Sequence, residues 1–198
     1  MAALMLKVPE DTARVLREIP VPGQKETSEQ HITVIYLGKD IPIERISAMV
    51  PVLYGVTSKT LPFAVKTDHV SNFPGGDDGV PVIAQIKSPE LHDFRQALCD
   101  ALDEAELPWD KKFPDYSPHT TLAYDPNPET TVDLDIPELI WGVSELVLWG
   151  SNRGEGRLVV KFPLSLTLGK AAATSSQESA LYRASVQVAA WAQRDRFA

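Results

Sequence analysis

The segments "HITVIYLG", residues 31–38, and "HTTLAY", residues 119–124, both read as strands, and each opens on a histidine with a threonine two places later. A strand turns successive side chains to opposite faces, so residues i and i+2 share one face. His31 is thereby matched with Thr33, and His119 with Thr121, on a polar face. Ile32, Val34 and Tyr36 in the first strand, and Thr120, Leu122 and Tyr124 in the second, are expected on the other face. A chain that writes the same half-polar strand once in each half is expected to fold as two similar halves.

The rest of the chain fits that expectation. "ALMLKVP" reads as a first strand and "EDTARVLREI" as a helix ended by Pro20. "GQKETSEQ" reads as a polar loop, and "IPIERISAMVPVLYGVTS" as a helix that Pro51 breaks or bends. "LPFAVKTDHV" and "VPVIAQI" are the strands of a hairpin around the turn "SNFPGGDDG". The strongest helix follows, with Ser88 as N-cap, Pro89 in its first turn, and Leu91, Phe94, Leu98, Leu102 and Ala105 on one face. "LPWDKKFPDYSP" is a loop leading into the second histidine strand, and "DPNPETTVDLDIPEL" is an acidic connector. "SELVLWGSNRGEGRLVVKFPLSL" is a closing hairpin. Hairpins in both halves, without regular parallel βαβ spacing, predict an α+β fold with antiparallel sheets.

Composition changes at Gly169. "GKAAATSSQES" has the content of a linker, and "ALYRASVQVAAWAQRDRFA" has a helical period. The expected organisation is one domain over residues 1–168 and a tail over residues 169–198, a candidate to dock on the domain, to dock on a partner chain, or to run into a further segment.

Several function classes are excluded on these grounds. A net charge of −8 argues against a surface that grips long duplex nucleic acid through many phosphates. It leaves a small anionic substrate open, since a few local donors can hold one phosphate. No apolar run approaches a bilayer-spanning length and the opening segment lacks a leader pattern, so a cytoplasmic protein with no membrane partner is expected. The single cysteine, Cys99, falls within the helical pattern and reads as a buried thiol. "FPGGDDG" lacks the spacing of a calcium loop, and no metal or other cofactor is expected.

Two histidines suit one chemistry in particular. Cleaving a phosphodiester by in-line displacement needs a base at the attacking oxygen and an acid at the leaving one. Paired imidazoles supply both near neutral pH, and adjacent hydroxyls can donate to the non-bridging oxygens. The two H-x-T segments, with "YLG" after the first and "SPH" before the second, resemble the two-histidine (2H) phosphoesterase superfamily, which includes enzymes named for 2′-5′ RNA ligase activity and cyclic phosphodiesterases. The resemblance spans about residues 3–168. It implies a bilobal, pseudo-two-fold α+β fold with antiparallel sheets lining a central cleft and helices outside. It also implies His31 and His119 as the acid–base pair, with Thr33 and Thr121 holding the phosphate.

Lys111, Lys112, Phe113 and Tyr116, in the loop entering the second motif, are candidates to offset phosphate charge or stack on a base. Arg153 and Arg157 are weaker candidates of the same kind. His69 and His92 lack a motif and read as structural and solvated, respectively. The expected activity is hydrolysis of cyclic or 2′-5′ phosphodiester bonds in nucleotides or RNA ends. The alternatives are a module that sequesters a phosphorylated nucleotide, and an assembly protein carrying an accessory enzyme domain.

Overall fold

The same small unit occurs twice: a strand, a helix, then an antiparallel return strand that opens on a histidine. In the first unit β1 (Ala2–Lys7) leads into α1 (Glu10–Glu18), and after the short β2 (Gln24–Lys25) the chain returns as β3 (His31–Gly38) beside β1. Helix α2 (Ile43–Thr57) and strand β4 (Phe63–Asn72) connect to the second unit, in which β5 (Val80–Lys87), α3 (Pro89–Glu104) and β6 (His119–Asp125) repeat the plan. The chain closes with β7 (Leu134–Asp135), β8 (Ile140–Val143), β9 (Glu145–Ser151) and β10 (Arg157–Pro163). This computed structural model describes residues 1–26, 29–39, 41–112, 115–151 and 157–165. The linker and helix read from residue 169 onward lie outside the described residues.

Every strand pairing is antiparallel, as the α+β reading requires. One sheet has the order β10-β9-β1-β3, and the other β2-β6-β5-β4-β7 with β8 also on β4. β3 is thus an edge strand. β6 is nearly one, because β2 covers only Tyr124 and Ala123. The two histidine strands lie against each other where the sheets meet.

Local chemistry explains most of the elements. Helix α3 starts where Ser88 Oγ accepts a hydrogen bond from the Leu91 amide at 3.3 Å, with Pro89 opening the first turn. Leu91, Phe94, Leu98, Cys99 and Leu102 are buried along its inner stripe, whereas Ala105 lies at the exposed C-cap. Pro51 does not break α2, which runs on to Thr57. Ile46, Met49, Val50 and Leu53 are each almost fully buried, and that packing holds the helix despite the lost N–H.

Three short pairings depart from the sequence reading. Gln24–Lys25, expected as loop, forms β2 on β6; Leu134–Asp135, within the acidic connector, forms β7 on β4; and Ile140–Val143 forms β8 on β4. Two- and four-residue strands carry too little alternation to be read from composition. β2 depends on Gly23, whose φ of +92° lets the backbone close on β6 so tightly that an added Cβ would sit 2.4 Å from the Tyr124 carbonyl oxygen. Gly23→Ala should therefore destabilise the fold by at least about 1 kcal/mol, measured as a lower midpoint in urea.

Candidate active site

The two histidine strands share an irregularity as well as a motif. In β3, Met5 of β1 pairs with Thr33 and the next residue, Leu4, pairs with Ile35, so Val34 is an extra residue. In β6, Ile83 of β5 pairs with Thr121 and Val82 pairs with Ala123, so Leu122 is extra. Each is a β-bulge three residues after the histidine, and it reverses the alternation that follows. Val34 and Ile35 are both buried, as are Leu122 and Ala123. Tyr36 and Tyr124 are consequently on the same side as the His–Thr pair, contrary to the strict alternation expected from the sequence. In β6, Tyr124 is half-buried like His119 and Thr121, while Leu122 and Ala123 between them are both buried.

The histidines are held alike. His31 Nδ1 lies 2.9 Å from the Glu29 carbonyl oxygen, and His119 Nδ1 lies 2.8 Å from that of Ser117. A carbonyl oxygen only accepts, so each Nδ1 carries the proton and each Nε2 is left to exchange one. The surroundings then differ. His119 packs edge-on against Phe73, with ring centroids 4.6 Å apart at 86°. Burial lowers its pKa, the Ser117 carbonyl partly opposes this, and a charge on His31 lowers it further. The last effect also places the two imidazoles within electrostatic reach of each other.

A cleft of about 570 Å³ opens beside His119, lined by Thr33, Tyr36, Phe73, Arg95, Tyr116 and Ser117 among others. Its far wall is tied to the open edge of β3. The Tyr116 hydroxyl donates to the Thr33 carbonyl at 3.1 Å, Arg95 Nε to the Val34 carbonyl at 3.2 Å, and the Asp110 amide to the Tyr36 carbonyl at 2.9 Å. The Arg95 guanidinium also lies 4.7 Å from the Tyr116 ring centroid, with His92 edge-on to the same ring. Burial pushes the Tyr116 hydroxyl up, so it stays protonated as a donor.

The structure brings Thr33, Tyr116 and His119 to this cleft and does not bring Lys111 there. Lys111 Nζ pairs with Asp103 at 2.8 Å and lies over the Trp109 ring, on a different part of the surface. Lys112 is exposed, its amide bonded to Asp110. His31 and Thr121 occupy the polar faces of their strands, each half-buried. Phe113 and Arg153 lie outside the described residues, as does the Arg157 side chain. His69 bonds Asp68 at 2.9 Å, and Cys99 is buried, its thiol pushed up by that burial. Among the described residues no group of three or more His, Cys, Asp or Glu is arranged to hold a metal ion, and no helix is long and apolar enough to cross a membrane.

Arg95, Phe73 and Tyr36, with Asp110, Asp115 and Ser117, are polar or aromatic cleft residues that sequence reasoning did not assign to the site. Tyr36 alone left a signal, the aromatic five places after each motif histidine. Arg95 is one polar residue among many on α3, and nothing in its neighbourhood marks it.

Residues 9–155 match the family model described as the 2′-5′ RNA ligase superfamily. No curated protein matches the chain. Among solved structures, TT0787 of Thermus thermophilus is similar with a TM-score of 0.63 at 20% identity, covering 84% of this chain and 99% of that one. E. coli LigT is similar in its apo form, with a TM-score of 0.63 at 16% identity and coverages of 83% and 96%. LigT complexed with 3′-AMP is similar with a TM-score of 0.61 at 15% identity and coverages of 82% and 97%. At these identities the likeness establishes the fold, the LigT-like 2H architecture.

Opening the hydrophobic side of His119 should raise its pKa. In Phe73→Ala the imidazole should titrate at higher pH than in the wild type, followed by NMR of the ring protons; an unchanged midpoint would assign the desolvation to other groups.

Proposed function

The chain belongs to the 2′-5′ RNA ligase superfamily, and on that premise we propose that it is a phosphoesterase that opens cyclic or 2′-5′ phosphodiester bonds of nucleotides or RNA ends, with His31 and His119 as its acid–base pair. The observation that carries this reading is the matched anchoring of the two imidazoles. Each Nδ1–H is committed to a backbone carbonyl, which fixes the tautomer and leaves each Nε2 as the nitrogen that exchanges a proton.

Burial keeps His119 neutral at neutral pH, which fits it to accept a proton first. With a nucleoside in the cleft beside it, His119 Nε2 takes the proton from a ribose hydroxyl as that oxygen attacks phosphorus. The bond to the far oxygen breaks, and that oxygen takes a proton from His31. A 2′,3′-cyclic phosphate results. Hydrolysis runs the roles in reverse: His31 takes a proton from water, the water oxygen attacks phosphorus, and His119 returns its proton to the departing ribose oxygen. The protons balance over the two steps, and the pair is restored. Thr33 and Thr121, each on its histidine's side of its own strand, would donate to the non-bridging oxygens, where negative charge gathers.

Aromatic walls at Tyr36, Phe73 and Tyr116 support a base-bearing substrate, and 3′-AMP and phosphate are ligands with which LigT has been solved. The net charge of −8 supports a small substrate over long structured RNA.

With nucleoside 2′,3′-cyclic phosphates and 2′-5′-linked dinucleotides as substrates in EDTA, His31→Ala and His119→Ala should each lower kcat by about 10²- to 10⁴-fold, read by chromatography of products. Turnover undiminished in either variant would overturn the pair; binding without turnover in the wild type would make this a sequestering protein. With the 2′-5′-linked dinucleotides, whose turnover begins with the first step, His119 must start neutral, so their transesterification falls as pH drops through its pKa. That acid limb should lie below the ordinary imidazole range near about 6.5 and move upward in Phe73→Ala.

A further inference from the structure

The residue that faces each histidine across the ladder is matched as well. Lys7 of β1 is the antiparallel partner of His31, and Gln85 of β5 is the partner of His119. Directly opposed residues share a face, so Lys7 and Gln85 stand on the polar side with their histidines. Beyond each pair the strands are tied once more. The Val8 amide donates to the Gln30 carbonyl at 3.1 Å, and the Ile86 amide to the Pro118 carbonyl at 2.9 Å.

Both opposing side chains reach the same place. Lys7 Nζ donates to the Glu29 carboxylate, and Glu29 is the residue whose carbonyl holds His31 Nδ1. Gln85 Oε1 accepts from the Ser117 hydroxyl at 3.4 Å, and Ser117 is the residue whose carbonyl holds His119 Nδ1. Gln85 Nε2 is steadied in turn by donating to the Ser71 hydroxyl at 3.3 Å. Two further carboxylates line the hollow beside Lys7, those of Glu10 and Glu145, and they are taken by Arg17 and Lys161.

The two braces differ in chemistry. Lys7–Glu29 is an ion pair with 37% and 57% of its side chains exposed, so salt screens it. Gln85–Ser117 is neutral and half-buried, and its bonds are long. Pro118 biases Ser117 to extended backbone, so that carbonyl is held by the chain as well as by Gln85. Glu29 precedes Gln30 and has no such restriction. His31 therefore depends on its brace more than His119 does.

We propose that Lys7 and Gln85 are positioning residues: each stands opposite its histidine and, through the side chain of the residue two places before that histidine, fixes the carbonyl that sets the imidazole's tautomer. In this role neither touches the reacting atoms. The kinetic part of the test rests on the acid–base reading of His31 and His119, and the spectroscopic part does not.

Two-bond proton–nitrogen NMR correlations of the histidine rings at about pH 8, where imidazole is neutral, read which nitrogen carries the proton. In the wild type both rings should show Nδ1–H. Lys7→Met and Glu29→Gln should each give His31 a share of the Nε2–H tautomer and leave His119 unchanged, and salt at about 1 M should do the same. Lys7→Arg, which keeps the ion pair, should keep the wild-type spectrum. Gln85→Leu and Ser117→Ala should shift His119 alone, and by less. With 2′,3′-cyclic phosphates, Lys7→Met, Glu29→Gln and Gln85→Leu should each lower kcat by about 2- to 10-fold with KM unchanged. A histidine whose tautomer is unmoved by the variants of its own brace overturns the proposal for that unit. A fall in kcat without a tautomer shift makes Lys7 or Gln85 a substrate ligand and overturns it, as does a shift of both rings in every variant, which reports general loosening. A tautomer shift with unchanged kcat upholds the positioning and counts against the acid–base roles themselves.

Discussion

β3 is an edge strand with a function, and the carbonyls on its open side are the constraint around which the cleft is built. An open edge left bare invites pairing with another chain, and buried carbonyls left without donors cost free energy. The carbonyls of Thr33, Val34 and Tyr36 are instead met by the Tyr116 hydroxyl, the Arg95 side chain and the Asp110 amide. These three donors draw α3 and the loop after it over the edge of the first sheet. The loop's continuation is β6, so satisfying one strand's edge delivers the second histidine to it.

The bulges act on the same geometry. Each β-bulge uses one residue to bend its strand and switch the alternation, so that one face carries a histidine, a threonine and a tyrosine. In β6 the outcome is Tyr124 on the side of His119 and Thr121, and in β3 it is Tyr36 in the cleft wall. Arg95 meets the Val34 carbonyl at the bulge itself, which ties the orientation of the strand to the helix that carries Arg95. The tyrosines therefore belong to the site through a backbone irregularity.

This is also where the sequence stopped being legible. Period-two alternation identified both strands, their polar faces, and the residues that now stand there, because those features follow from strand geometry alone. It assigned Tyr36 and Tyr124 to the wrong side because a bulge inserts a residue without any local composition to announce it. The α3 stripe from Leu91 to Leu102 was readable, since a helix buries what its period aligns, and the Ser88 cap was readable for the same local reason. β8 and β2 were not, because strands of four and two residues are fixed by their partners β4 and β6 rather than by their own pattern. Lys111 looked like a phosphate ligand by position in the chain, but a flexible cation goes to the nearest carboxylate and ring, here Asp103 and Trp109. Arg95, on another element, reached the cleft unannounced.

The scaffold treats the two histidines almost identically, and the difference between them comes from what is packed on top. Both rings are anchored through Nδ1 to a carbonyl two residues back, and both precede a bulge at the same distance. A pair so matched has no preferred order of proton transfer. Phe73 removes that equivalence by covering one side of His119, where desolvation disfavours the imidazolium, and a proton on His31 disfavours it further. The doubly protonated state is thus the costly one, and a pair holding a single proton is the state that displacement at phosphorus needs. The β4–β5 turn carries Phe73, and the first unit presents no aromatic ring to His31 in the same way among the described residues. Breaking the pseudo-two-fold with one ring is enough to give two equally anchored imidazoles different environments, the asymmetry on which the proposed acid and base roles rest.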